Sequence, residues 1–93
     1  MAKLKCIMIR QHGIKIIGYM IMKINEAKDF GSVVRKQRKA LGYTQSQISE
    51  ITGLSVTFIS DLENGKKTIE LGKALLLANM LGLDCLINPR GEA

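Results

Sequence analysis

One all-α domain of four short helices is the fold this sequence predicts, and three observations predict it. Between positions 30 and 81 apolar residues recur three and four apart, the spacing of a helix with one buried face. Asp29, Thr44 and Ser55, all good N-cap residues, stand just ahead of three of these runs. Glycines at 42, 53, 65 and 82 close the runs, where a helix commonly ends. The 93 residues suffice for a single modest core. The only aromatics are Tyr19, Phe30, Tyr43 and Phe58, so that core is aliphatic.

Taken in order, Asp29 caps a helix over residues 30–41, with Phe30, Val34 and Leu41 on one face and Gly42 ending it. Thr44 caps a second helix over 45–52, with Ile48 and Ile51 inward. After the turn at Gly53, Ser55 caps a third over 56–64, where Ile59 and Leu62 point inward and Phe58 flanks them. Gly65 ends it. The fourth spans 70–81, with Leu71, Leu75, Ala78 and one of Leu76 or Met80 toward the core. The run 83–88 reads as a short strand before Pro89, with Cys85 and Ile87 on one side and Leu86 on the other.

Residues 1–24 differ from the rest. They mix lysines with Ile and Met and hold no acidic residue. Three readings fit them: a dispensable or mis-assigned leader, with Met20 or Met22 as the alternative start; a strand or docked arm over 14–21 after a turn at 11–13; or a basic arm touching a polyanion. The domain proper is expected over 25–93. Arg10, His12 and Lys15 interrupt the apolar leader, which spoils a signal sequence or a membrane span, so a cytoplasmic protein is expected.

The net charge of +6 suggests nucleic acid, but its distribution matters more than its size. Residues 1–28 carry Lys3, Lys5, Arg10, Lys15, Lys23 and Lys28 against Glu26, a balance of +5; eight basic and seven acidic residues remain for 29–93. The helical domain is thus nearly neutral, and its charges must act by placement.

No catalytic set is present. There is no Cys–His pair at useful spacing, no carboxylate cluster and no phosphate-binding glycine loop; Gly65-Lys66-Lys67-Thr68 lacks the strand and earlier glycine such a loop needs. Cys6 and Cys85 are too far apart in sequence for a metal motif, Cys6 reading as a free thiol and Cys85 as a small buried apolar residue. No enzyme, metal or cofactor is expected.

Residues 44–65 carry the functional signal. Two short helices meeting at a glycine form the layout of a helix-turn-helix, which lays its second helix in the major groove of DNA. With Ile59 and Leu62 inward, Val56, Thr57, Ser60 and Asp61 point outward. Such short side chains let a helix backbone come close to base edges, although an ordinary amphipathic helix with a polar face has the same wheel. Thr44 and Gln45 stand at a helix N-terminus, a position that favours phosphate. Arg35, Lys36, Arg38 and Lys39 precede this unit and Lys66 and Lys67 follow it, as solvated surface or as backbone clamps. Arg38 and Glu63 also suit an ion pair between the first and third helices.

From residue 30 to about 86 the chain resembles the Cro/C1-type (XRE) helix-turn-helix family, through VRKQRKALGYTQ at 34–45, ISEITGLSVTFISDLENGK at 48–66 and MLGL at 80–83. The tail TIELGKALLLANMLGLDCLINP resembles the HipB-like antitoxin branch, partners of HipA-type kinase toxins. The resemblance implies a lambda-repressor-like bundle of four or five helices. It implies that Gln45 contacts phosphate, that Ser55, Val56, Thr57, Ser60 and Asp61 face DNA, and that Asn64 and Lys66 lie at the backbone. It supports the Arg38–Glu63 bridge. It also implies that Asp84, Cys85, Leu86, Ile87 and Asn88 form a strand pairing across a homodimer. Gln37 and Ser49 depart from the Leu and Ala usual in the family, and the leader is longer than the usual start. The expected function is dimeric repression at an inverted-repeat operator, with antitoxin activity toward a HipA-like kinase. The alternative is a protein-interaction module of the same fold that reads no DNA.

Overall fold

The computed structural model describes residues 21–91. Four helices run in sequence: α1 (Ala27–Ala40), α2 (Gln45–Thr52), α3 (Val56–Glu63) and α4 (Leu71–Met80). α3 packs against both α1 and α2. The core consists of Val34, Leu41, Ile48, Leu54, Ile59, Leu62, Ala74, Leu77, Ala78 and Leu81, with Phe30, Tyr43, Phe58, Ile69 and Leu83 against its edge. The aliphatic core expected from composition is therefore observed. The proposed strand and turn of the leader, with Cys6 and His12, lie outside the described residues.

The helix starts follow from side-chain chemistry. Thr44 and Gln47 form a reciprocal capping box: Thr44 Oγ1 accepts from the Gln47 amide at 3.1 Å, and Gln47 Oε1 accepts from the Thr44 amide at 2.9 Å. Ser55 Oγ accepts from the Phe58 amide at 3.0 Å. The start of α1 corrects the sequence reading. Its N-cap is Glu26, and Asp29 lies one turn in, its carboxylate accepting from the amides of Asn25 and Glu26 at 3.0 Å each. An acidic residue serves either as cap or as the third helical residue reaching back, and position alone did not distinguish them.

Two glycines are demanded by the packing. A Cβ on Gly31 would run into the carbonyl oxygens of Leu62 and Glu63, so α1 and α3 touch backbone to backbone there. Gly65 ends α3 at φ +83°, and a Cβ there would run into the Cα and Cβ of Lys28, so a side chain is excluded by space and by backbone angle alike. The amides of Gly65 and Lys66 turn back to the carbonyls of Leu62 and Asp61, satisfying the end of α3.

Three burial expectations are overturned in whole or in part. In α4 Ala78 is buried as expected, but its buried companions are Ala74 and Leu77, while Leu71 and Leu76 are 65% and 45% exposed and Leu75 and Met80 half-buried. The helix is apolar nearly all round, so no polar stripe marks its outer face. Ile51 is exposed, and Leu54 of the following turn occupies the core beside Ile48 instead. Cys85 is an exposed free thiol, not a buried residue.

The expected strand at Asp84–Asn88 does not form. Residues 83–89 have no regular secondary structure, and the described residues contain no strand with which they pair. A strand is defined by its ladder, and one isolated apolar segment has none. Leu86 and Ile87 consequently stand 80% and 97% exposed.

Candidate nucleic-acid interface

α3 presents the outer face that its wheel demands. Ser55, Val56, Thr57 and Asn64 are exposed, and Ser60 and Asp61 are half-buried. Ile59 and Leu62, 0% and 2% exposed, anchor the opposite face. The exposed groups are short and mostly polar, so the backbone of α3 is accessible to a partner along its whole outer side. Asn64 Nδ2 approaches Ser60 Oγ at 3.4 Å, a long contact that leaves both groups able to bond elsewhere.

Asp61 is not an isolated negative charge on this face. Lys66 Nζ lies 3.5 Å from its carboxylate, with both side chains substantially exposed. Such a pair adds little stability, ~0–1 kcal/mol, but it offsets a charge that would otherwise repel phosphate. Lys66 thereby enters the site from the turn after α3. Lys67 is exposed beside it, as are Arg35, Lys36 and Lys39 of α1. Arg38 leaves this basic group, because it is buried.

The Arg38–Glu63 pair expected from sequence is present and nearly closed to water, with side-chain exposures of 9% and 3%. Arg38 Nε donates to Glu63 Oε2 at 2.7 Å and Nη2 donates to Oε1 at 2.9 Å, a two-pronged fit between planar groups. Arg38 Nη1 donates to the Tyr43 carbonyl at 2.8 Å. Among the described residues no buried side-chain polar atom lacks a partner. Burial pushes the Glu63 carboxyl upward, but the hydrogen bonds from Arg38 and Gln45, with the charges of Arg38 and Arg35, outweigh it and hold the carboxyl below its ordinary value. The Arg38 guanidinium is raised by its hydrogen bond to Glu63, against the effect of burial.

Gln45 stands at the start of α2 as expected, but the sequence did not reveal its partner. Its Nε2 donates to Glu63 Oε1 at 3.0 Å, linking the first residue of α2 to the last residue of α3. The chain separation of 18 residues hid the contact. Gln37, one of the departures from the family pattern, is also explained: its Nε2 donates to the Leu81 carbonyl at 2.7 Å and ties α1 to the end of α4. The Gln47 half of the capping box was legible as Thr-x-x-Gln. No comparable role emerges for Ser49 beyond its carbonyl accepting from Gly53. Asp84, Cys85, Leu86, Ile87 and Asn88 are all exposed in the segment beyond α4.

Among the described residues no group of His, Cys, Asp and Glu is arranged to hold a metal, and no helix is long and apolar enough to cross a membrane.

Known proteins are similar to this chain in sequence and fold. Residues 34–86 match the helix-turn-helix family model. A protein of Sinorhizobium fredii, the uncharacterized HTH-type transcriptional regulator y4mF, is 36% identical over 73 residues, covering 78% of this chain and 96% of the relative. Among solved structures, the HipB–O4 20mer complex superposes with a TM-score of 0.68 at 21% identity, over 75% of this chain and 99% of that one. A serine-to-alanine variant of HipB in its O2 20mer complex gives 0.69 at 20% identity, over 76% and 99%. The bundle is thus HipB-like, and its family is one of non-enzymatic DNA-binding regulators. With the α2–turn–α3 unit, the Arg38–Glu63 clamp and the motif match in agreement, the chain belongs to the Cro/C1-type (XRE) helix-turn-helix family.

Proposed function

We propose that this protein is a sequence-specific transcriptional repressor that binds an inverted-repeat operator as a homodimer. One observation carries the reading: α3 is anchored by Ile59 and Leu62, while its opposite face carries short, mostly polar side chains. In the docked state Ser55, Val56, Thr57, Ser60 and Asp61 face the groove, with Thr57 and Ser60 bonding base edges or phosphates and Val56 touching a thymine methyl. Asn64 and Lys66 meet the backbone on one side, and Thr44 and Gln45 hold a phosphate at the start of α2. The 20mer complexes of HipB support DNA as the ligand through their likeness in fold.

A single domain of this size covers too little duplex to bind tightly, so two copies on half-sites about 34 Å apart are required. The exposed segment Asp84–Asn88 is assigned to the dimer interface; Leu86 and Ile87 are its apolar contacts. An antitoxin role, with a HipA-like kinase as the partner protein, is proposed from the resemblance of the tail at 68–89 to the HipB-like branch and is tested by the gene neighbourhood: an adjacent reading frame for such a kinase is expected. A lone gene would return the protein to a general repressor of the family.

The direct experiment is a footprint on the DNA upstream of the protein's own gene. Protection of two half-sites at low salt is expected, weakening as salt rises because phosphate contacts release counterions. Absence of protection, together with retained binding of a partner protein, would instead establish an interaction module that reads no DNA.

A further inference from the structure

We infer that Glu63 is a positioning residue for the phosphate contact of Gln45, a step that rests on the DNA-binding reading above. A glutamine amide nitrogen carries two N–H donors. Glu63 takes one of them at 3.0 Å, while Gln45 stays half-exposed at the first position of α2. A side chain with three rotatable bonds is thereby held to one orientation, with the second donor left for an oxygen arriving at the helix N-terminus.

What holds Gln45 is itself held. The same Oε1 accepts from Arg38 Nη2 at 2.9 Å, and Oε2 accepts from Arg38 Nε at 2.7 Å. Arg38 is in turn fixed by the Tyr43 carbonyl, in the connection that leads into α2. The carboxylate is 3% exposed, so water does not compete for it. The network joins the end of α3 to the beginning of α2, so the helix that enters the groove and the residue that grips the backbone keep one register. Ordering Gln45 before binding removes part of the entropy that binding would otherwise cost. The ion pair thus has a second use besides tying α1 to α3: it presents a half-exposed neutral donor to a phosphate.

The test is a double-substitution cycle on the full chain. The probe is a fluorescently labelled duplex of the region upstream of the gene, read by anisotropy at low salt and well below the melting temperature of each variant. Gln45→Ala and Glu63→Gln should each weaken binding about fivefold to tenfold. Glu63→Gln in the Gln45→Ala background should change it by less than about twofold, because the donor it positions is gone. Independent, multiplying losses would overturn the inference and leave Glu63 a purely structural residue. Should Glu63→Gln not fold, Gln45→Asn decides: it keeps the amide but falls one methylene short of Glu63. Binding as weak as Gln45→Ala supports positioning, and binding at the level of the unsubstituted chain overturns it. No binding by the unsubstituted chain itself would remove the DNA-binding reading first, before any variant is compared.

Discussion

Arg38 and Glu63 show how much a single contact depends on its surroundings. The pair is enclosed, and three donors from Arg38 and Gln45 meet the carboxylate. Removing one partner leaves the other charged and out of water, so Arg38→Met is expected to cost ~3–5 kcal/mol in urea unfolding. The pair also sets an acid limit. Because the Glu63 carboxyl titrates below its ordinary value of 4.5, the stability it contributes is complete above that value and is lost as pH falls through the folded-state titration. Arg38 stays charged throughout. Glu63→Gln should therefore lower stability at neutral pH and flatten the acid side of the curve, in urea melts followed from about pH 7 to about pH 3. A slope unchanged from the parent chain would assign acid sensitivity to other carboxylates. Both partners of this contact were legible in the sequence, from charge and family spacing. Gln45 as its third member was not, because an uncharged side chain at a helix start has no sequence mark of what it will touch.

Among the elements, α4 departs most from the sequence reading, and its error has a simple physical origin. Leucines at 71, 75, 76 and 77 offer several equivalent faces, and only packing against the rest of the bundle selects one. The choice is measurable. Leu77, 0% exposed, should cost ~2–5 kcal/mol when replaced by alanine, whereas Leu76→Ala should fall within about 1 kcal/mol of the parent. Equal losses in thermal unfolding would refute the observed register. A different constraint acts where α1 crosses α3. Alanine is a better helix former than glycine, yet Gly31→Ala forces a methyl group into the Leu62 carbonyl. The crossing must open, and a loss of ~1–3 kcal/mol is expected from the overpacking. α2 and α3 were read with more success. Their caps, Thr44 and Ser55, are local devices, and local devices are visible in a local stretch of sequence.

For the whole molecule, the decisive feature is the exposed segment after Leu83. Residues 84–89 leave the bundle without a ladder, and Leu86 and Ile87 are almost wholly exposed. If this segment forms the dimer interface, Ile87→Asp should shift the protein to monomer in sedimentation velocity and weaken operator binding by more than tenfold, with little change in the helical content of the bundle. A dimer that survives the substitution would relocate the interface. The charge distribution belongs to this scale too. Most of the net positive charge precedes residue 29, while the described bundle balances its charges by placement, as in the Asp61–Lys66 pair beside the α3 face.

By itself the sequence determined the helix-turn-helix, its two clearest caps, the aliphatic character of the core and the outward face of α3. Those features follow from spacing within a turn or two of chain, where the period of the helix and the chemistry of its ends decide the outcome. Only the tertiary structure decided which face of α4 is buried, why residue 31 is glycine, where Gln37 and Gln45 find their partners, and that residues 84–88 make no strand within one chain. Each of these depends on an atom far away in sequence, and a hydrogen bond or close approach at that range is set by how whole helices pack rather than by the residues beside it.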